Sequence, residues 1–353
     1  MASREQVLEA LGHVIDPELR RPVTELDMVR AVEIDGAVVT VTIALTVVGC
    51  PLRSSFEDQV AEHVGVLPGV ERVELRFDVM TPDERAALTT KLRGGVEPRG
   101  IQLDPSTRVL AIASGKGGVG KSSLTVNLAA ALAALGRTVG VLDADIYGHS
   151  IPHMLGIHQK PVAVDKMIVP PFAHGLKLMS IGFFLDGNEP VMWRGPMLHR
   201  ALEQFLQDVH WGELDVLCVD MPPGTGDVSI SLGQLLPRAE AIVVTTPQPL
   251  AQEVASRAAT MAQKTGMRLV GVVENMTSDV FGSGGGERLA TQLGVPLLGQ
   301  VPLDVRVREA ADAGEPLVVR DPGSEPAEAI AELAARVDAS RAGGFTRTLP
   351  LVS

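Results

Sequence analysis

Apolar runs and polar breaks give the chain two parts with different patterns. From residue 108 onward, short apolar runs alternate with stretches of helical spacing, which predicts a doubly wound, mostly parallel α/β sheet. The predicted buried strands cover 108–114, 138–145, 214–220, 241–246, 269–275 and 295–301. The predicted helices cover 122–135, 191–208, 249–265, 284–294 and 325–340. Residues 146–190 are rich in Pro, Gly and His, and we expect a long mobile segment of short pieces there.

The residues before this part predict a separate small α/β domain, 1–82, with the element order α-β-β-α-β. Its helices are expected at 3–14 and 52–64, and its strands at 30–34, 37–47 and 70–77. Asp35-Gly36 is a strong hairpin signal between the first two strands. A linker is expected at 83–107, with a short helix in 83–92. The second domain would then cover 108–342 and a loose tail 343–353.

Composition and charge limit the kinds of partner and the cellular compartment that we expect for this chain. The chain of 353 residues has a formal net charge of −12 and 3% aromatic residues, which argues against nucleic acid and anionic membranes as partners. The two cysteines, Cys50 and Cys218, lie far apart in sequence and suggest a reducing compartment. The N-terminus has no apolar signal core and no apolar run is long enough to span a membrane, so we expect a cytoplasmic location.

The most specific stretch is Ser114–Ser123, which matches G-x-x-x-x-G-K-[ST] from Gly115 to Ser122 between a predicted strand and a predicted helix. Its backbone N–H groups are expected to hold phosphate oxygens. Lys121 would reach the β- and γ-phosphates, and the Ser122 hydroxyl would bind Mg²⁺. The predicted nucleotide-binding residues of the loop are Gly115, Lys116, Gly117, Gly118, Val119, Gly120, Lys121, Ser122 and Ser123.

Acidic residues close two of the predicted strands. Asp143 and Asp145 end one, and Asp220 ends another in the manner of a Walker B motif, so all three should meet at the carboxyl edge of the sheet, where ligands bind. Gly224 would let the backbone approach the γ-phosphate. Three histidines, His149, His153 and His158, follow Asp145. No metal-binding array on one clear helix supports a metal site there, so solvated or capping histidines are the simpler interpretation.

Lys116, just after the first glycine of the loop, makes this stretch resemble the deviant Walker A motif of the MinD/ParA/Mrp group of P-loop ATPases. Further motifs resemble the Mrp/ApbC family of iron–sulfur cluster carrier ATPases: Leu142-Asp-Ala-Asp-Ile-Tyr-Gly-His-Ser150, Trp193-Arg-Gly-Pro196, Asp220-Met-Pro-Pro-Gly-Thr-Gly-Asp227, Glu274-Asn-Met276, Phe281-Gly-Ser-Gly-Gly-Gly286 and Val301-Pro-Leu-Asp304. The N-terminal domain, with Asp16-Pro-Glu18 and Gly49-Cys-Pro51, looks like the iron–sulfur assembly domain often fused to that family.

The resemblance implies a role for each matching residue. Lys116 would reach the partner's nucleotide in a face-to-face homodimer, and Lys121 would bind phosphate. Asp143 and Asp220 would complete the Mg²⁺ shell through water, and Asp145 would orient the attacking water. The base would be read by Asn275 and the backbone near Pro302. The implied reaction is ATP hydrolysis coupled to holding an iron–sulfur cluster and releasing it to apoproteins, with an assembly scaffold as a further partner.

One departure from the family concerns the cluster ligands. The family usually carries Cys-x-x-Cys shortly after Glu-Asn-Met, whereas this chain has Thr277-Ser-Asp-Val280 there. Cys50 precedes a predicted helix, where a thiol becomes nucleophilic or metal-binding, but a small buried residue is the other interpretation. Two functions therefore stay open. One is an ATPase that carries iron–sulfur clusters, and the other is a dimerising nucleotide switch of the MinD/ParA kind that acts on a protein partner without a cluster.

Overall fold

The computed structural model describes residues 2–17, 19–46, 53–92, 103–146, 148–165, 167–184 and 195–340. The helices are α1 (Arg4–Leu11), α2 (Arg53–His63), α3 (Pro82–Leu92), α4 (Lys121–Ala134), α5 (Ile151–Met154), α6 (Gly195–Gln207), α7 (Asp227–Leu235), α8 (Pro249–Lys264), α9 (Gly285–Leu293), α10 (Val305–Asp312), α11 (Leu317–Arg320) and α12 (Glu325–Ala339). The strands are β1 (Val29–Asp35), β2 (Val38–Leu45), β3 (Arg72–Val79), β4 (Arg108–Ser114), β5 (Val139–Asp143), β6 (Val162–Val164), β7 (Met167–Val169), β8 (Phe172–Ala173), β9 (Leu176–Ser180), β10 (Val216–Asp220), β11 (Glu240–Thr245), β12 (Arg268–Thr277) and β13 (Leu297–Pro302).

The large sheet has eight strands in the order β13-β12-β11-β4-β10-β5-β9-β8. Its neighbours pair in parallel except for β8, which pairs antiparallel with β9 at one edge. The predicted doubly wound, mostly parallel sheet is confirmed. Strand β4 lies between β10 and β11. The connection from β4 runs to β5 on one side and the connection from β10 runs to β11 on the other, so they diverge at the carboxyl ends of β4 and β10, which is where such sheets bind ligands.

The middle of this sheet is buried on both faces. All residues of β5 and β10 are buried, as expected for parallel strands covered by helices. Helix α4 is buried over most of its length, because α12 packs against it from outside and the sheet from inside. The short α4 side chains, mostly Ala, Leu and Val, allow this close packing, which holds the start of α4 in a fixed position at the sheet edge.

One expectation about the segment after β5 is corrected. We expected 146–190 to be a long mobile segment of short pieces. Short elements are present, but Leu176–Ser180 forms the buried strand β9, which pairs in parallel with β5 and is part of the sheet. Leu176, Leu178 and Met179 are fully buried, so this short run has enough apolar surface to join the sheet. Its register places Ser180 beside Asp143.

The first compact unit contains a three-stranded sheet, β1-β2-β3, with β1 and β2 antiparallel and β2 and β3 parallel. The predicted order α-β-β-α-β is present. Ser3 caps α1 through a capping box with Gln6, although α1 ends at Leu11 rather than at residue 14. The hairpin turns at Gly36, whose φ of 59° suits glycine.

The unit boundaries differ from the division expected from sequence. The first unit comprises 1–102, 161–170 and 207–210, and the second comprises the rest of the chain. Helix α3, expected within the linker, belongs to the first unit: its Leu88 is buried in that core and its Thr89 hydroxyl donates to the Val164 carbonyl at 3.1 Å. The hairpin β6–β7 adds Val164, Met167 and Val169 to the same core. The tail 343–353 lies outside the described residues.

Candidate active site

The loop between β4 and α4 has the geometry of a phosphate cradle. Gly118 and Gly120 both have φ of 79°, which side chains rarely adopt. A Cβ on Gly115 would lie 2.1 Å from the Val254 carbonyl carbon, so only glycine fits against α8. A Cβ on Gly117 or Gly118 would meet nothing within 4 Å, so the loop backbone is open to the cleft beside it. That cleft is also lined by Lys121, Ser122, Asp145, Gly148, Ser150 and Met154.

Lys121 is the cation at the centre of a buried acidic cluster. Its ammonium donates to Asp220 Oδ2 at 2.7 Å and lies 3.6 Å from Asp145 Oδ2. Lys121 is 6% exposed and Asp220 is fully buried, so both charges depend on each other for compensation. The structure thus brings together the predicted phosphate lysine, the Walker B aspartate and the predicted water-orienting aspartate.

The oxygen donors near Asp220 fit a magnesium ion. The Ser122 hydroxyl donates to Asp220 Oδ2 at 2.6 Å, and the Thr125 hydroxyl donates to Asp220 Oδ1 at 2.8 Å. Hydroxyl and carboxylate oxygens at the start of a phosphate-binding helix are ligands that Mg²⁺ prefers, directly or through water. The same Thr125 hydroxyl lies 2.9 Å from the Lys121 carbonyl, so its one hydrogen is shared between the two acceptors and links Asp220 to the first turn of α4.

Asp143 lies fully buried beside this cluster. The backbone N–H of Asp145 donates to its Oδ1 at 3.2 Å, and the Ser180 hydroxyl donates to its Oδ2 at 3.0 Å. Burial, and then the nearby negative charge of Asp220, raise the pKa of Asp143 to about 7. Without bound Mg²⁺, the Asp143 carboxyl is therefore expected to be protonated below about pH 7 and ionised above it.

Replacing Asp143 by Asn is expected to stabilise the nucleotide-free protein at pH 8 much more than at pH 4. A raised folded-state pKa contributes stability that is complete below pH 3.8 and is lost as pH rises through about 7. At pH 8 the neutral amide removes a buried charge, and one pKa unit corresponds to about 1.4 kcal/mol. Thermal unfolding without nucleotide or Mg²⁺, at both pH values, measures the difference. An equal change at the two pH values would show that the charge of Asp143 is not responsible.

Two other predicted site residues lie at the same edge. Lys116 is exposed and lines the cleft, and no residue in the described ranges forms a hydrogen bond or ion pair with its ammonium. Gly224, with φ of 83°, donates its N–H to the Ser114 carbonyl at 2.8 Å. The Gly224 backbone therefore approaches the phosphate loop itself, and its contact with a γ-phosphate stays a prediction.

Asn275 contacts the phosphate loop directly. Its Nδ2 donates to the Val119 carbonyl at 2.9 Å, and the same amide leaves no room for a side chain at Gly120. The Asn275 Oδ1 and the second hydrogen of its Nδ2 remain for the predicted contact with a base. Pro302 lies in register with Thr277, at the end of the neighbouring strand. Both residues thus lie at the edge where a base was expected, while base recognition itself stays a prediction.

Three residues that hold the site together were not predicted from sequence. Thr125 carries a signal, because it lies one helical turn after Lys121. Ser180 has no local signal, since its contact with Asp143 depends on the register of β9. Glu274 is fully buried, and its carboxylate accepts from the backbone N–H groups of Gly284, Gly285 and Gly286 and from Gln300 Nε2, at 3.1, 2.6, 3.0 and 2.5 Å. It caps α9 and joins it to the strand that carries Asn275.

The thiols do not form a visible metal site. Cys218 is fully buried in β10, and burial raises its pKa to about 12, which makes it an inert core residue. Cys50 lies outside the described residues. Within the part of the chain that the structure describes, no group of three or more His, Cys, Asp or Glu residues is arranged to hold a metal ion. The segment Thr277–Val280 leads into a tight turn closed between Ser278 and Gly282.

The fold and the cradle define the class: this is a P-loop NTPase. Residues 106–338 match the family model described as NUBPL iron-transfer P-loop NTPase, and residues 4–75 match the model of an iron–sulfur cluster assembly protein. The chain therefore belongs to the family of NUBPL-type iron-transfer P-loop NTPases, with an iron–sulfur assembly domain at its N-terminus. The resemblance stated from sequence motifs is confirmed.

Similar proteins and solved structures support the same family assignment. The iron–sulfur cluster carrier protein of Mycobacterium tuberculosis (strain ATCC 25618 / H37Rv) is 52% identical over 95% of this chain and 93% of its own length. A nucleotide-binding protein of Archaeoglobus fulgidus, in complex with ADP and with cobalt, is 35% identical with a TM-score of 0.54, covering 62% of this chain and 89% of its own. The septum site-determining protein MinD of Pyrococcus horikoshii, complexed with Mg-ADP, is 26% identical with a TM-score of 0.55, covering 67% and 98%. Among the described residues, no helix is long and apolar enough to cross a bilayer.

Proposed function

We propose that the chain is a Mg²⁺-dependent ATPase that binds an iron–sulfur cluster and transfers it to apoproteins, acting as a homodimer. The ATPase part is supported by the hydrogen bonds that join Lys121 and Ser122 to Asp220 beside the open glycine loop. The cluster-carrying part is supported by the match to an iron-transfer family and by a relative named as an iron–sulfur cluster carrier along nearly the whole chain.

The residues of the site suggest how ATP is held. The loop N–H groups and the start of α4 bind phosphate oxygens. The Lys121 ammonium, which lies 2.7 Å from Asp220 in this structure, binds the β- and γ-phosphates when ATP is present. The phosphate oxygens then replace the carboxylates as its hydrogen-bond partners. Asn275 holds the loop through Val119 while its Oδ1 and the backbone near Pro302 contact the base.

Hydrolysis requires a positioned water and stabilised charge. Mg²⁺ bound here would neutralise charge on the phosphates. The Ser122 hydroxyl would hold the ion, and Asp220 and Asp143 would hold its water shell. Asp145, 8% exposed at the cleft, orients the attacking water towards the γ-phosphate. Gly148 donates its N–H to Asp145 Oδ1 at 3.1 Å and keeps that carboxylate in the cleft.

The cluster is the cargo in this proposal, and the chain itself offers few ligands for it. Four thiolates are the usual shell, and the two cysteines of this chain include the buried Cys218. Two copies of Cys50 in a dimer supply half a shell. We therefore expect the protein alone to hold a cluster weakly or not at all, and tight binding to need a small thiol or a partner protein.

A second candidate function is a dimeric nucleotide switch without a cluster. The observation that favours it is the turn after β12, which carries no thiol and exposes 83% of Val280 and 40% of Phe281. An exposed apolar tip is a common feature of protein contacts.

The experiment that tests the proposal is anaerobic reconstitution with iron and sulfide, with and without a small thiol. Iron and sulfide per chain and transfer to an apo-acceptor are measured for wild type, Cys50→Ala and the control Cys218→Ala. We expect thiol-dependent cluster binding and transfer in wild type and Cys218→Ala, both lost in Cys50→Ala, with ATP turnover intact in all three. A dialysis-stable stoichiometric cluster in Cys50→Ala would contradict the ligand assignment, and ATP turnover without any transfer would favour the switch.

A further inference from the structure

A second cleft in the ATPase unit shares a wall with the nucleotide cleft. Its lining comprises His149, Pro152, His153, Ile157, His158, Lys160, Gly182 and Phe183. None of these described lining residues is acidic, although the whole chain has 43 acidic and 31 basic residues. Three imidazoles and an ammonium thus surround one cleft of a strongly acidic protein. We call it the histidine cleft.

The groups in the histidine cleft suit an anion. His153 and His158 are exposed at the rim and offer nitrogen-bound hydrogens, whereas Ile157 and Phe183 are buried. The described residues contain no three-ligand arrangement suited to a metal ion. Imidazole donors beside an apolar floor, with no carboxylate among the described lining residues, match a small anion with a short carbon body, or an inorganic oxyanion.

One wall of the histidine cleft is bonded to Asp145. Alternate residues of the same segment serve the two clefts: Gly148 and Ser150 line the nucleotide cleft, and His149 lines the histidine cleft. Gly148 donates its N–H to Asp145 Oδ1 at 3.1 Å, and the His149 ring is held 3.2 Å from the Ile146 carbonyl. A shift of His149 therefore acts on the loop that fixes Asp145.

The opposite wall is bonded to Asp143. Gly182 donates its N–H to Ser180 Oγ at 3.1 Å, and Ser180 donates to Asp143 Oδ2 at 3.0 Å. The His149 ring lies so close to Gly182 that a Cβ there would be 2.3 Å from ring atom Cδ2. The two walls thus touch each other, and each is hydrogen-bonded to a carboxylate of the nucleotide site.

We propose that the histidine cleft binds a small anion through a phosphate or carboxylate group, and that its occupancy changes ATP turnover through Asp143 and Asp145. The binding part stands independently of the function proposed above, whereas the coupling part rests on it. The ligand acts at a site separate from the phosphate cradle, since its donors are His153 and His158.

Binding is tested by histidine proton NMR of the full-length protein, saturated with Mg-ADP so that added anions do not enter the cradle. Inorganic phosphate and succinate are titrated separately, and signals are assigned by single His→Gln variants. We expect saturable shifts at His153 and His158 with at least one probe, and none at His13 and His63, whose rings contact each other in the first unit. The responding probe identifies the ligand chemistry. Equal shifts at all histidines, or none with either probe, would overturn the proposal.

Matched variants test the site and its coupling. His153→Ala combined with His158→Ala is expected to weaken binding at least roughly tenfold, since it removes two hydrogen-bond donors to a charged ligand. Gly182→Ala should weaken binding without removing a hydrogen-bond donor, because it displaces the His149 ring. His13→Ala combined with His63→Ala is the control.

The coupling is measured as the dependence of ATP turnover on the responding anion. Wild type and the control should show the dependence, and His153→Ala with His158→Ala should lose it while keeping basal turnover. Binding that leaves wild-type turnover unchanged would overturn the coupling. A protein with no ATP turnover at all would instead refute the proposed function, and the NMR result would still decide whether the cleft binds an anion.

Discussion

Lys121→Ala is expected to lower ATP turnover by roughly 100-fold or more, the usual effect of removing one positioned charge donor at a phosphoryl-transfer site. The ammonium of Lys121 lies 2.7 Å from Asp220 and 3.6 Å from Asp145, beside the fully buried Asp143. Without it, the charges of Asp145 at the cleft and of Asp220 buried behind it lose their cation, so triphosphate binding would meet negative charge instead. The measurement is steady-state phosphate release together with nucleotide affinity.

Two variants separate this effect from a general loss of structure. Lys264→Ala removes an exposed lysine near the end of α8 and should keep full turnover. Lys121→Arg keeps the positive charge but replaces the compact ammonium by a planar guanidinium. It should therefore fold like wild type and still hydrolyse ATP much more slowly. Turnover of Lys121→Ala equal to wild type would show that the loop is not the hydrolytic site.

Much of the ATPase fold follows from the sequence because parallel strands with both faces covered are continuous apolar runs. Strands β4, β5 and β10 are of this kind, and each was predicted within two residues or so at its ends. The short strands β6 and β7 have no such signal, since three residues cannot show a period. Their place in the core of the first unit depends on contacts with distant residues such as Leu88.

The candidate site also has a part that the sequence predicts and a part that only the fold reveals. The cradle is local, so glycine spacing and Lys121 predict it directly. The Asp143–Ser180 bond depends on the register between β5 and β9, and the Asn275–Val119 bond joins residues 156 positions apart. Glu274 looks like an ordinary acidic residue in sequence, and only the fold shows that three glycine N–H groups converge on it. Sequence thus indicates the reacting groups better than the groups that position them.

Lys116→Ala is expected to lower ATP turnover on the order of 100-fold, while each chain still binds one nucleotide. The reason is that a cation supplied by the partner subunit would stabilise the charge that develops on the phosphates during transfer. Lys116 is exposed at the cleft, and no residue in the described part of the chain engages its ammonium. Its own Lys121 would still hold the phosphates, so binding should survive. Nucleotide affinity and phosphate release, measured side by side, test this separation.

Mixing two inactive variants decides whether Lys116 acts on its own nucleotide or on the partner's. In a mixed dimer of Lys116→Ala and Lys121→Ala chains, the first chain keeps Lys121 and receives Lys116 from the second, so one complete site forms. Equal mixing should restore about a quarter of wild-type turnover, because half of the dimers are mixed and each has one working site. If Lys116 acts in cis, no mixed dimer holds a complete site. Dimers that form, as shown by sedimentation with ATP, but stay inactive would therefore rule out the trans role.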